Sequence, residues 1–318
     1  MDDFQKRIAY QEDITPILKA VCLDYSIGSY QSHSIIPVGY EDLNLILQTT
    51  IGKYFVKIFA SYRSFENCQR YINITSKAIE FGVSHPKLFK VGNNCLYSTN
   101  INGININLCV EEYINGQSFY DSNLKPTKED IASITDEVAK INLIDFHPEY
   151  ISDNWAVENM ITQYKKIEKL IINKDRELLS PIIAEYLKTD FDKLPHALVH
   201  GDLIKTNILK DKENKIFFID FSVANYYPRI QELAILFCNI FFNEDDPSSS
   251  NAMYKEVLSR YQKTLPLKPL ELELLPTYIK FAHAMHIIGA SCEKYLFNND
   301  SQENTYWLEL GRKGLKNS

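Results

Sequence analysis

Between Leu198 and Phe221 short apolar runs alternate with polar loops. Leu198-Val199 leads into His200-Gly201-Asp202, Asn207 precedes Ile208-Leu209, and Ile216-Phe217-Phe218-Ile219 delivers Asp220-Phe221. Apolar runs this short, broken by turn residues, predict buried strands rather than helices. Asp220 then falls at the tip of a hairpin, and Asp202, Asn207 and Asp220 come onto adjacent loops. All three are hard oxygen donors of the kind that suits Mg2+ on phosphates.

Phosphoryl transfer needs a carboxylate beside the attacking hydroxyl and hard ligands for the metal on the nucleotide. Asp202 fits the first role, and Asn207 and Asp220 fit the second. In protein kinases the catalytic-loop Asp and Asn stand five residues apart, with the metal Asp on a later hairpin. Asp202 and Asn207 keep that interval. His200-Gly201-Asp202 stands where protein kinases have His-Arg-Asp, and Asp220-Phe221-Ser222 where they have Asp-Phe-Gly. His200 reads as a brace for the loop, since an aspartate already fills the role of base.

This combination resembles the aminoglycoside phosphotransferase, choline kinase and homoserine kinase-like superfamily. Pro228-Arg229-Ile230-Gln231-Glu232-Leu233-Ala234 is similar to the segment that follows the metal Asp in that family, with Glu232 in place of the usual Asp. Gly39-Tyr40-Glu41-Asp42-Leu43-Asn44 is similar to its Gly-x-x-Asn turn, with Asp42 at the Asn position, and Tyr54-Phe55-Val56-Lys57-Ile58 to its nucleotide-binding Lys strand. The resemblance covers roughly residues 31–240. It implies an α+β, protein-kinase-like fold of two lobes, a small β-rich N-terminal lobe over 1–113 and a larger, mainly helical C-terminal lobe over 114–318. It also implies ATP or GTP with Mg2+ as cofactors, Asp202 as the catalytic base, Asn207 and Asp220 as metal ligands, and Lys57 on the α- and β-phosphates.

Taken in order, residues 3–25 carry Ile8, Ile14, Ile17, Leu18 and Val21 at helical spacing. Strands are expected at 31–38, 43–49 and 54–59, the last two joined by a turn at Ile51-Gly52-Lys53. Gly39 stands alone, so the loop before the second strand is not a Gly-x-Gly-x-x-Gly. Residues 64–81 read as a helix, where Glu66 is the favoured partner of Lys57 and Glu80 reads as a solvated helix-end charge. Further strands are expected at 87–91, 94–99 and 104–113. In the related kinases the backbone around the equivalents of Glu112 to Ile114 is the hinge that meets adenine, and Gly116 lets the chain turn onward.

From about residue 127 the pattern is helical. Thr127 and Asp130 form a capping-box signature ahead of Ile131, Ile134, Val138 and Ile141. Helices are expected again at 153–173, 177–190, 230–243, 251–264 and 270–297, and Asn243–Ser250 reads as a surface loop. His283 and His286 near Cys292 could suggest a metal, but two histidines without a second ligand pair read more simply as core residues. Lys205 is read as facing solvent or substrate.

With 45% hydrophobic residues the chain can bury a sizeable core, and a net charge of −7 argues against nucleic acid, which calls for a basic face. No apolar run approaches the ~20 residues of a membrane span, and the start Met1-Asp2-Asp3-Phe4-Gln5 has no secretory pattern. The six cysteines lack any Cys-x-x-Cys pair and are expected to be reduced and buried. A cytoplasmic kinase acting on a small hydroxylated molecule is therefore expected, with its oligomeric state unspecified. A protein kinase is disfavoured because the interval between Asp220 and Pro228 is too short for an activation loop. The alternatives are a nucleotide-binding pseudokinase and, behind it, an adaptor that binds no nucleotide.

Overall fold

The structure, a computed structural model, describes residues 3–37, 41–243, 246 and 249–317. The chain divides into two compact units, residues 1–80 with 84–116 and residues 81–83 with 117–318. The first unit runs to Gly116, whose N–H turns back to the Ile114 carbonyl (2.9 Å).

The first unit is built on an antiparallel sheet of order β1-β2-β3-β5-β4, with β1 Tyr30–Ile35, β2 Leu43–Thr49, β3 Lys53–Ile58, β4 Tyr97–Ile101 and β5 Ile104–Glu112. Alternate residues of a strand face opposite sides, and the two faces have different occupants. Leu43, Leu45, Leu47, Val56, Ile58, Leu108 and Val110 pack with Ile8, Ile14, Ile17, Leu18 and Val21 from the N-terminal segment and helix α1 (Thr15–Asp24). The other face carries Asn44, Lys57 and Cys109 side by side in the register. Helix α2 (Phe65–Glu80) meets that face, through Tyr71 against Glu111 and Phe59. The Gly39 turn lies outside the described residues.

The expected strand at 87–91 is reduced to isolated bridges, Leu88 to Glu111 and Val91 to Asn94. β4 covers β5 only as far as Leu108, and this segment covers the rest through Phe89 N–H to the Val110 carbonyl and Glu112 N–H to the Lys87 carbonyl (2.9 and 2.8 Å).

Strand β6 (Gly116–Ser118) carries the chain into the second unit. There follow α3 (Phe119–Ser122), α4 (Lys128–Leu143), α5 (Met160–Ile167), α6 (Asn173–Tyr186), β7 (His196–Val199), β8 (Ile208–Asp211), β9 (Ile216–Phe218), β10 (Asn225–Pro228), α7 (Ile230–Cys238), α8 (Ser249–Thr264), α9 (Pro269–Phe297) and α10 (Gln302–Lys316). The capping box forms, with Thr127 and Asp130 each accepting the other's backbone N–H. The helix expected from 153 begins only at Met160, since Asp153 is tied into a local turn by Trp155 N–H (2.8 Å) and Asn159 Nδ2 (2.7 Å). The helix expected from 177 already begins at Asn173, and the one expected over 230–243 ends at Cys238. Of the expected 243–250 loop, residues 244, 245, 247 and 248 lie outside the described residues, and Ser249 already opens α8.

The 29-residue α9 is the central helix of this unit, packing against α5, α6, α7 and α10. All six cysteines are buried and free. Among the described residues no helix is long and apolar enough to cross a membrane.

Candidate active site

β7 and β10 pair antiparallel, and β8 and β9 form a hairpin. The loop from His200 to Asn207 leaves β7, and the loop from Ile219 to Ala224 leads from β9 to β10. Gly201 takes a φ of +83°, which a side chain would strain, so the loop can turn directly under Asp202. Glu232, in the first turn of α7, accepts the His200 N–H on Oε2 (2.5 Å) and the Gly201 N–H on Oε1 (3.3 Å). His200 is fully buried, accepts the Asp202 N–H on Nδ1 (3.3 Å) and meets the Ile219 carbonyl through Nε2 (3.0 Å). Since Nδ1 accepts, the ring proton sits on Nε2 and donates to Ile219. His200 thus ties the two loops together.

The loops bring the three oxygen side chains together. Asn207 Nδ2 donates to Asp202 Oδ2 (2.7 Å) and to its carbonyl (2.9 Å), which turns the Asn207 amide oxygen away from Asp202. The Ile219 N–H donates to the Asn207 carbonyl (3.1 Å), so Asp220 follows one residue after that link. Asp220 has a φ of +67° and accepts from the Ser222 N–H (3.2 Å) and hydroxyl on Oδ1. Ser222 therefore cages the carboxylate in the place of the kinase glycine. Burial, followed by the charges of Asp153, Asp220 and Glu303, pushes the Asp202 carboxyl well above the usual carboxylate range, while Asn207 pulls it down. Such crowding of negative oxygen suits a hard divalent cation, and the residues present fit Mg2+ held by Asn207 and Asp220.

Sequence reasoning missed the surroundings of Asp202. Asp153 precedes an unrecognised turn, and Glu303 lies on α10, beyond the stretch covered by the resemblance. Lys205 Nζ donates to the Tyr306 hydroxyl (2.7 Å), and Tyr306 packs with Trp307 and Tyr120. The sulfur near His283 and His286 is Cys238, whereas Cys292 meets the Gln163 carbonyl. Asn239 Oδ1 accepts the Lys205 N–H (3.0 Å), which aims its Nδ2 at His286 Nε2 (3.3 Å). That nitrogen is therefore the acceptor, and the proton on Nδ1 faces Cys238 Sγ (3.8 Å). A cation on Nδ1 would displace this proton and set Nε2–H against the Asn239 amine, so the group is a neutral network bracing the loop at Lys205. Burial holds His283 down to about 3 and His286 to about 4.

In the first unit Lys57 is 2% exposed, and its Nζ stands 3.2 Å from Oδ2 of Asp42, itself 5% exposed. This pairing corrects the expectation of Glu66. Glu66 lies exposed on the first turn of α2, its carboxyl held below the usual range by its own N–H and by Ser64. Glu80 is exposed and pairs with Lys77. At the hinge, the Glu112 N–H is engaged by the Lys87 carbonyl and the Ile114 carbonyl by Gly116.

A model of the phosphotransferase enzyme family matches residues 32–266, most of the chain. The chain belongs to the phosphotransferase enzyme family. Among its relatives is a homoserine kinase of Bartonella henselae, 26% identical over 277 residues that cover 84% of this chain and 83% of that one. A homoserine kinase of Pseudomonas aeruginosa is 30% identical over a shorter stretch, 39% of each chain. Of solved structures, an amicoumacin kinase in complex with AMP-PNP, Ca2+ and its antibiotic superposes with a TM-score of 0.69 at 16% identity, over 99% of this chain and 96% of that one. The choline kinase LicA of Streptococcus pneumoniae gives 0.67 at 16% identity, over 96% and 99%. The protein-kinase-like fold and the small-molecule phosphotransferase class of the family follow from these matches together.

Proposed function

We propose that this family member transfers the γ-phosphate of ATP to the hydroxyl of a small amino alcohol, with homoserine the first acceptor to test. The observation that carries the reading is the Asp202–Asn207–Asp220 set, with Asn207 donating to Asp202 and with His200 and Glu232 bonded to the backbone of the two loops. Asp202 orients the acceptor hydroxyl and takes its proton. Asn207 and Asp220 hold Mg2+, which neutralises charge on the phosphates when bound. In the first unit Lys57 takes the α- and β-phosphates, and the hinge backbone at Glu112 and Ile114 meets the base. Most of the acceleration then comes from positioning and electrostatics.

Two observations favour an acceptor that carries an amine. Asp153 and Glu303 both bear on Asp202, and Tyr120, Tyr306 and Trp307 pack as an aromatic group beside Lys205. Carboxylates and aromatic faces attract ammonium groups, and Lys205 adds a cation that suits an acceptor carboxylate. Homoserine carries both charges, and the curated relatives bear its name. The test is ATP consumption with Mg2+ across homoserine, choline, ethanolamine and aminoglycosides. Turnover highest with homoserine is expected. Nucleotide binding without turnover on any of them would favour the pseudokinase reading.

A further inference from the structure

We infer that Asp42 is the positioning residue for Lys57, taking from the turn before β2 the place expected of a helix glutamate, Glu66. The inference rests on the reading of Lys57 as the phosphate-binding lysine. In the register Asn44 lies directly opposite Lys57, so Asp42, two residues earlier, is its diagonal neighbour on the same face. Diagonal neighbours stand about 7–8 Å apart, within reach of a lysine side chain. Asp42 is itself fixed: Oδ1 accepts the Ala60 N–H (2.9 Å) and Arg63 Nε (3.0 Å), and its carbonyl accepts Arg7 Nη1 (3.0 Å). Helix α2 cannot supply the acid. Its buried face offers Arg70 and Tyr71, with the Tyr71 ring 5.4 Å from Lys57 Nζ, and its acids Glu66 and Glu80 are both exposed.

A carboxylate held by so many donors cannot follow the lysine, so it sets where the ammonium points. One consequence distinguishes this role from a structural one. If Asp42 acts through Lys57, its loss matters for nucleotide only while Lys57 is present. The experiment is a double-mutant cycle on the full chain, reading the Kd of Mg2+–AMP-PNP by calorimetry alongside thermal midpoints. Asp42→Asn is expected to raise Kd about tenfold, equivalent to about 1.4 kcal/mol. Lys57→Met should raise it at least as much, and the double variant should be no weaker than Lys57→Met. An unchanged Kd in Asp42→Asn, or an equal loss in both backgrounds, overturns the inference. Wild-type affinity in Lys57→Met would instead remove the reading of Lys57 beneath it. Should Asp42→Asn not fold, Asp42→Glu keeps the charge but displaces it by a methylene, and the same cycle is read with it.

Discussion

Glu232 carries the backbone of His200 on its carboxylate, 2.5 Å from the amide nitrogen, and the neighbouring amide of Gly201 on its second oxygen. Burial pushes this carboxyl up to about 8 from 4.5, against the pull of both N–H groups. Between those values the folded protein keeps a proton that the unfolded chain has released, so stability contributed by this group falls as pH rises through the window. Glu232→Gln removes the titration and sets an amine against one backbone N–H. Thermal midpoints from pH 5 to 8.5 should fall less steeply in the variant. At pH 5 the variant should be about 1–3 kcal/mol less stable, the cost of a buried donor left unpaired. A slope equal to wild type would mean that Glu232 stays charged throughout.

On the proposed reading nucleotide should stabilise the protein only together with a divalent cation, because Asp220, Asp153 and Glu303 gather negative charge around Asp202, where the phosphates would arrive. Mg2+–ATP at 100 times its Kd should add about 2.7 kcal/mol to stability, seen as a raised melting temperature. EDTA should largely abolish the rise. A flat response at millimolar nucleotide would contradict every nucleotide-based reading.

Much of this was legible where residues act through local pattern. The Leu198–Phe221 stretch announced its strands because apolar runs and turn residues alternate, and Thr127–Asp130 announced α4 because a capping box is local. In the sequence Lys57 interrupts an apolar run, yet in the sheet Tyr54, Val56 and Ile58 share the face opposite it, so the alternation is intact and Phe55 and Phe59 mask it. The partner of Lys57 is not legible in the sequence because Asp42 reaches it through strand register, which spacing alone does not reveal. Asp153 and Glu303 lie about 50 and 100 residues from Asp202 in the chain, and no local pattern announces such a meeting.

Helices α9 and α10 approach closely through glycine. A Cβ on Gly314 would stand 1.9 Å from His283 Nδ1, and one on Gly311 2.6 Å from the His283 carbonyl. In an exposed helix Gly→Ala gains about 1 kcal/mol, but overpacking a core costs about 1–3 kcal/mol, and a fixed imidazole ring cannot yield like the end of a flexible chain. Gly314→Ala should therefore lower the stability measured by denaturant unfolding. Because His286, three residues from His283, is tied through Asn239 to the Lys205 amide, turnover should fall with it. A stabilised variant would show that α10 can shift away freely.

The two aspartates should separate binding from chemistry. Asp220, caged by Ser222, is read as a metal ligand, so Asp220→Ala should lose Mg2+-dependent nucleotide stabilisation together with turnover. Asp202 faces the acceptor hydroxyl in this reading. Asp202→Asn keeps a hydrogen-bonding oxygen but loses the charge that takes the proton, and it relieves a carboxyl that burial and Asp153 already penalise. Its nucleotide affinity should persist and its thermal stability at neutral pH should hold or rise. Its kcat should fall by about 10²–10⁴, the range for a lost general base. Equal loss of Mg2+–nucleotide binding in both variants would make Asp202 a metal ligand. Undiminished turnover in Asp202→Asn would refute the kinase reading of the His200-Gly201-Asp202 loop.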